Sequence, residues 1–281
     1  ISNVLQQTAA AAERVFEFLE EEEEPADPES PLSPELIRGE VDFAHVHFGY
    51  VPEKTIINDF CAIIPPGTQV AIVGPTGAGK TTMVKLLMRF YDVSSGAILL
   101  NGYDVKQFTR KDLRDSFGMV LQDTWLYNDT IRENIRFGRL DATDEEVLAA
   151  ARAAQVDHFV RTLPHGYDTV LNEEGTNVSQ GQKQLLTIAR TIISNPKIMI
   201  LDEATSSVDT RTEILIQKAM NKLTEGRTSF IIAHRLSTIR DADIILVMRD
   251  GDIVETGNHE ELLARGGFYA ELYNSQFAGA E

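Results

Sequence analysis

Apolar positions along the chain set the first frame. From Val4 to Leu19 they fall at Val4, Leu5, Ala12, Val15, Phe16 and Leu19, a stripe on one face of a poorly capped helix. Glu20 to Glu24 follow, and then Pro25, Pro28, Pro31 and Pro34, which neither a helix nor a central strand tolerates. The pattern predicts a linker over about 20–37 and a folded domain from Arg38. Beyond it, short β-rich runs occupy Val41–Phe48, Thr55–Ile64, Gln69–Val73, Ala97–Leu100, Phe117–Leu121, Ile198–Leu201, Ser229–Ala233 and Ile244–Met248. Helical periodicity covers Lys80–Phe90, Asp144–Ala154, Ser179–Ser194, Thr210–Leu223 and His259–Ala264. Strands alternating with helices in the second half predict an α/β fold with a parallel sheet covered on both faces. The early strands, with few helices between them, predict an antiparallel subdomain. No repeat of fixed period is present.

Composition narrows the class. The 281 residues can bury a substantial core, and 43% apolar with 25% charged residues is ordinary for a globular protein. The net charge of −17 opposes nucleic acid as a main partner, which would call for clustered Lys and Arg. Residues 1–40 hold eleven acidic residues against Arg14 and Arg38, a net of −9, so the excess is local and reads as a solvated linker. No uninterrupted apolar run exceeds five residues, as in Ile244 to Met248, so no membrane span is expected. The chain starts at Ile1 without a signal-peptide pattern and reads as a piece of something longer. Its single cysteine, Cys61, lies in an apolar run and is expected to be a buried small hydrophobe in a reducing compartment.

Three motifs carry chemistry. Gly74, Pro75, Thr76, Gly77, Ala78, Gly79, Lys80 and Thr81 form a complete G-x-x-x-x-G-K-T between the apolar strand Val70–Val73 and a helix that continues through Thr82. Its glycines let backbone N–H groups wrap a β-phosphate, Lys80 can bridge the β- and γ-phosphates, and the Thr81 hydroxyl can ligate Mg²⁺. Ile198 to Leu201 is a buried strand ending in Asp202 and Glu203. Asp202 can reach the Mg²⁺ shell, and Glu203 is a candidate base for an attacking water. Val178-Ser179-Gln180-Gly181-Gln182 precedes a helix that Ser179 can cap; taken alone, this is no more than a capping signal.

That last segment resembles the signature loop of ATP-binding-cassette (ABC) ATPases, usually Leu-Ser-Gly-Gly-Gln, and the resemblance covers essentially all of 38–281. It implies a P-loop NTPase with a RecA-like parallel core sheet, an antiparallel β subdomain and an inserted helical subdomain at about 123–177. It also implies roles by position. Gln122 matches the Q-loop glutamine at Mg²⁺, Ser206-Ser-Val-Asp209 the D-loop at a dimer interface, and His234 the switch histidine at the γ-phosphate. Tyr50 matches the aromatic that stacks on adenine, and Ser179, Gly181 and Gln182 the signature residues that meet ATP. Alone, His234 would read as a buried structural histidine and Tyr50 as a strand aromatic; their joint order carries the resemblance.

Two features resemble exporters of the bacterial multidrug or lipid type. Asn172-Glu173-Glu174-Gly175 precedes the signature as an acidic, glycine-containing loop, and residues 1–19 resemble the cytoplasmic end of a last transmembrane helix. The alternative for that helix is an amphipathic element packed on its own domain. The resemblance implies ATP and Mg²⁺ as ligands, a second nucleotide-binding domain and a transmembrane domain of the same polypeptide as partners, and a place at the cytoplasmic face of the plasma membrane. Gln180 departs from the usual glycine, which suggests one half of a heterodimer; a homodimer that tolerates Gln180 is the alternative. Competing classes are a module that holds ATP without hydrolysing it, and a soluble family member acting on ribosomes or DNA.

Overall fold

The computed structural model describes residues 2–21, 23–121, 124–172, 177–202, 208–233 and 236–277, with the backbone alone for residues 2, 4, 5, 237, 276 and 277. Helix α1 spans Ser2–Glu20. Its Val15, Phe16, Phe18 and Leu19 are all exposed, so this part of the apolar stripe is not buried on the rest of the chain. The acidic linker is not purely solvated. Glu24 and Asp27 form ion pairs with Arg110, which is only 7% exposed, and Glu24 also pairs with Arg114.

Beyond the linker come β1 (Val41–Phe48), β2 (Ile57–Ile64), β3 (Gln69–Val73), α2 (Lys80–Leu87), β4 (Ser95–Leu100) and β5 (Tyr103–Asp104). Next are α3 (Arg110–Asp115), β6 (Phe117–Val120), α4 (Ile131–Arg136), α5 (Asp144–Ala153), α6 (Asp157–Val160), α7 (Gln180–Ser194) and β7 (Ile198–Asp202). The chain closes with α8 (Thr210–Thr224), β8 (Thr228–Ile232), α9 (Leu236–Asp241), β9 (Ile244–Arg249), β10 (Asp252–Gly257), α10 (His259–Arg265) and α11 (Phe268–Phe277). Local chemistry fixes several ends. Thr143, Ser179 and Asn258 each form a reciprocal capping box with the residue three positions on, and Asn195 closes α7 in the left-handed region at φ +51°.

The strands sort into two sheets. One is antiparallel, in the order β2-β1-β4-β5. The other runs β10-β9-β3-β8-β7-β6, parallel except for β10, which returns antiparallel to β9. Alternate residues of the parallel strands feed different cores, as the two-residue side-chain period requires. Val70, Ile72, Ile198 and Ile200 join Phe43 and Phe60 of the antiparallel sheet, whose rings pack edge to face at 4.9 Å. Met199 and Leu201 face α4, α5, α7 and α8, whereas Ala71 and Val73 face Tyr269 of α11. Burial on both faces explains why these strands read as continuous apolar runs.

Cys61 is a correction: it is exposed, not buried. Strand β2 lies at the edge of the antiparallel sheet, so Phe60, Ala62 and Ile64 turn inward while Asp59, Cys61 and Ile63 face outward.

Candidate functional site

Because β3, β6, β7 and β8 run parallel, their carboxyl ends share one edge of the sheet, which is where open α/β sheets bind ligands. The P-loop leaves β3 there, Asp202 ends β7 there, and the chain leading to 122 and to 234 departs there. Gln122, Glu203, Ser206, His234 and the acidic loop at 173–175 lie outside the described residues.

The P-loop is shaped for close backbone approach. Gly77 and Gly79 have φ of +85° and +101°, and a Cβ on Gly77 would meet nothing within 4 Å, so that turn of the loop opens outward. No side chain caps α2, because its N-cap is Gly79, and its first amides face the loop. Half-buried Lys80 donates from Nζ to the carbonyl oxygens of Gly74 at 2.7 Å and Pro75 at 3.0 Å. Burial holds its pKa below the usual lysine range, and the charge of Asp202 partly offsets this. Asp202 at the end of β7 and Lys80 at the start of α2 are therefore electrostatic neighbours. Thr81 is exposed beside them, whereas Ala78 and Thr82 are buried. Open amides, one cation, an exposed hydroxyl and a carboxylate at the strand edge fit a nucleotide polyphosphate with Mg²⁺.

Tyr50 stands at the mouth of a cleft of about 530 Å³ that it shares with Phe48, Val51 and Thr55. It is 45% exposed, with Phe48 and Tyr91 packed edge to face at 5.0 and 5.1 Å, so its ring is held while part of its surface stays open. Its hydroxyl lies 3.2 Å from Thr82 Oγ1, which ties the aromatic to α2, and Lys85 Nζ sits 5.6 Å from its ring centre. Sequence reasoning missed Tyr91 and Lys85. Their tie to Tyr50 needs β1 and α2 to meet in space, which no local pattern encodes.

The Ser179 hydroxyl accepts from the Gln182 amide at 3.3 Å, while Gln182 Oε1 accepts from the Ser179 amide at 2.9 Å. Both side chains thus hold the N-terminus of α7. Gly181 is required by packing, since a Cβ there would lie 2.4 Å from Thr212 Cγ2 of α8. Gln180 reaches from Nε2 to Thr124 Oγ1 at 3.4 Å. Asp209 caps α8, accepting from the amides of Arg211 and Thr212, and its carboxyl is held below the usual range chiefly by a hydrogen bond from the Thr212 side chain.

Behind the P-loop, α11 closes a small cavity of about 120 Å³ lined by Gly74, Thr76, Lys80, Tyr269 and Tyr273. The weakly periodic sequence of α11 gave no sign of this contact.

This fold and edge define a P-loop NTPase nucleotide-binding domain. The sequence profile of the ABC transporter family matches residues 57–206, just over half of the chain, and the chain belongs to that family. A fatty acid ABC transporter ATP-binding/permease protein of Mycobacterium bovis is 59% identical over 270 residues, covering 96% of this chain and 42% of that protein. The uncharacterized ABC transporter ATP-binding protein YfiC of Bacillus subtilis is 50% identical, covering 98% of this chain and 46% of its own length. A solved bacterial Atm1-family ABC exporter with ATP bound superposes at a TM-score of 0.86 with 44% identity, over 98% of this chain and 48% of that one. The chain spans less than half the length of these relatives. No described helix is long and apolar enough to cross a membrane.

Proposed function

We propose that the chain is the ATP-hydrolysing motor of an exporter and works by closing head to tail with a second nucleotide-binding domain. The observation that carries this is Lys80 lying inside the open P-loop beside Asp202 at the carboxyl edge of the sheet. ATP would lie with its adenine on Tyr50 and its phosphates in the loop of Gly74 to Thr82, Lys80 turning from the loop carbonyls to the β- and γ-phosphates. Thr81, Gln122 and Asp202 would hold Mg²⁺. Bound there, Mg²⁺ neutralises charge on the β- and γ-phosphate oxygens. Glu203 would take a proton from the attacking water, and His234 would contact the γ-phosphate. Ser179, Gly181 and Gln182 of one chain would present the N-terminus of α7 to the ATP of the other, with Asp209 near the interface.

Each ATP is then a shared ligand that favours the closed pair, and hydrolysis removes the γ-phosphate contacts that hold it. The exposed stripe of α1 supports its continuation into a transmembrane domain, and we read 123–177 as the helical subdomain that meets it. The whole protein would act at the cytoplasmic face of the plasma membrane. Its likeness to a protein named a fatty acid transporter makes fatty acids the first cargo to test in the full-length transporter.

Sedimentation of Glu203→Gln with ATP and Mg²⁺ tests the pairing. An ATP-dependent dimer that is lost in the Glu203→Gln, Lys80→Ala double variant is expected, and a monomer at every concentration with ATP bound would overturn it.

A further inference from the structure

The outward face of the antiparallel sheet gathers three side chains of different donor chemistry. Asp59 and Cys61 sit two residues apart on β2 and so share its solvent face. On β1 the register slips between Phe43, opposite Ala62, and Val46, opposite Phe60, leaving Ala44 and His45 across from Cys61 alone. Such a bulge re-aims a side chain, and here it turns His45 toward the other two. His45 is held in the left-handed region at φ +50°. On its other side Gly96 packs so closely that a Cβ there would lie 2.0 Å from the His45 carbonyl oxygen. One ligand atom each from His45, Asp59 and Cys61 lies within 4.8 Å of the others, and all three residues are exposed.

The geometry points to a binding site for a borderline transition-metal ion of the Zn²⁺ class, held by a ring nitrogen of His45, a carboxylate oxygen of Asp59 and Sγ of Cys61, with water in the fourth position. One nitrogen, one oxygen and one sulfur donor suit Zn²⁺ and disfavour Mg²⁺ or Ca²⁺, which take oxygen. Around a tetrahedral Zn²⁺, nitrogen and oxygen ligands stand about 3.4 Å apart, and sulfur about 3.6 Å from either. His45 Nδ1 and Asp59 Oδ1 are already 2.9 Å apart, so they need only open slightly. Cys61 Sγ, which accepts from the His45 amide at 3.3 Å, closes by at most about 1.2 Å through side-chain rotation in open solvent. His47 stays out of the set, its Nδ1 on the His45 carbonyl oxygen at 2.7 Å. On binding, Cys61 loses its thiol proton to solvent and the imidazole coordinates in its neutral form.

The site is separate from the P-loop edge, and its cysteine is the only one in the chain. Any thiolate-to-metal charge transfer within one chain must therefore come from Cys61. The test titrates the reduced, metal-free chain with Co²⁺ and follows near-ultraviolet absorption, with Zn²⁺ as competitor. A thiolate-to-cobalt band saturating at one Co²⁺ per chain, displaced by Zn²⁺, lost in Cys61→Ser and weakened at least tenfold in His45→Ala and Asp59→Ala is expected. Zn²⁺ should also raise the Tm of the wild type and leave that of Cys61→Ser unmoved. All three residues are on the surface, and far-ultraviolet circular dichroism of each variant checks that the fold is intact. No band, a band that survives in Cys61→Ser, or one indifferent to His45→Ala and Asp59→Ala would overturn the proposal. So would saturation at half a Co²⁺ per chain, which means bridging of two chains through Cys61.

Discussion

Lys80 donates from Nζ to the carbonyl oxygen of Gly74 at 2.7 Å, so its ammonium group lies inside the loop that precedes it in sequence. A phosphate arriving in the loop would meet a cation already in position. Replacing it removes charge-assisted hydrogen bonds of about 1.5–3 kcal/mol, so Lys80→Ala should weaken ATP binding roughly 10- to 100-fold. Equilibrium binding of a fluorescent ATP analogue checks this; unchanged affinity would place the phosphates elsewhere.

Gln180 and Gly181 are neighbours with different expected sensitivities. Gln180 makes one long side-chain hydrogen bond to Thr124, so Gln180→Gly should change ATPase activity by less than about threefold. A tenfold gain would mean that its side chain obstructs the shared site, as the heterodimer reading requires. Gly181→Ala instead drives a methyl group into Thr212 and Val208 and should cost about 1–3 kcal/mol in chemical denaturation.

Arg110 ties the linker to the folded domain through Glu24, Asp27 and Asp92, and donates to the Pro25 carbonyl. The arginine is buried while its carboxylate partners are partly solvated, so Arg110→Ala should lose about 2 kcal/mol of stability. Proteolysis within 20–30 should accelerate in the same variant; an unchanged cleavage rate would mean that the linker is held by other contacts.

His259 hydrogen-bonds to the Tyr269 hydroxyl at 2.7 Å, and Arg240, Glu260 and Tyr273 surround it. Burial, aided by Arg240 and opposed by Glu260, holds its pKa below the model-peptide value of 6.5. Between that lowered value and 6.5 the unfolded chain binds the proton more readily than the native one, so stability falls as pH drops through this window. His259→Gln should abolish that part of the acid loss, read as a smaller fall in Tm from about pH 7.5 to about pH 5.5. An identical pH profile would assign the loss to other groups.

How much of this was legible in the sequence depended on burial. β3 and β7 are covered on both faces, so Val70–Val73 and Ile198–Leu201 stood out as unbroken apolar runs, and the P-loop followed from residue identity. β10 is half-exposed and carries Asp252, Glu255 and Thr256, which hid its pairing with β9. α4 and α6, of six and four residues, are too short to show a period, and α11 has little amphipathic pattern. Cys61 misled because an apolar run at a sheet edge resembles a buried strand until its pairing is known. The pairing of Tyr50 with Tyr91 was equally out of reach, since it joins the end of β1 to the chain after α2.

The most direct measurement is ATPase activity per molecule against concentration of this chain, with Lys80→Ala and Glu203→Gln alongside. Turnover per molecule that climbs with concentration and vanishes in both variants is the expected result, because each site needs a P-loop from one chain and a signature from another. A nonzero rate per molecule that stays constant on dilution would contradict the shared site.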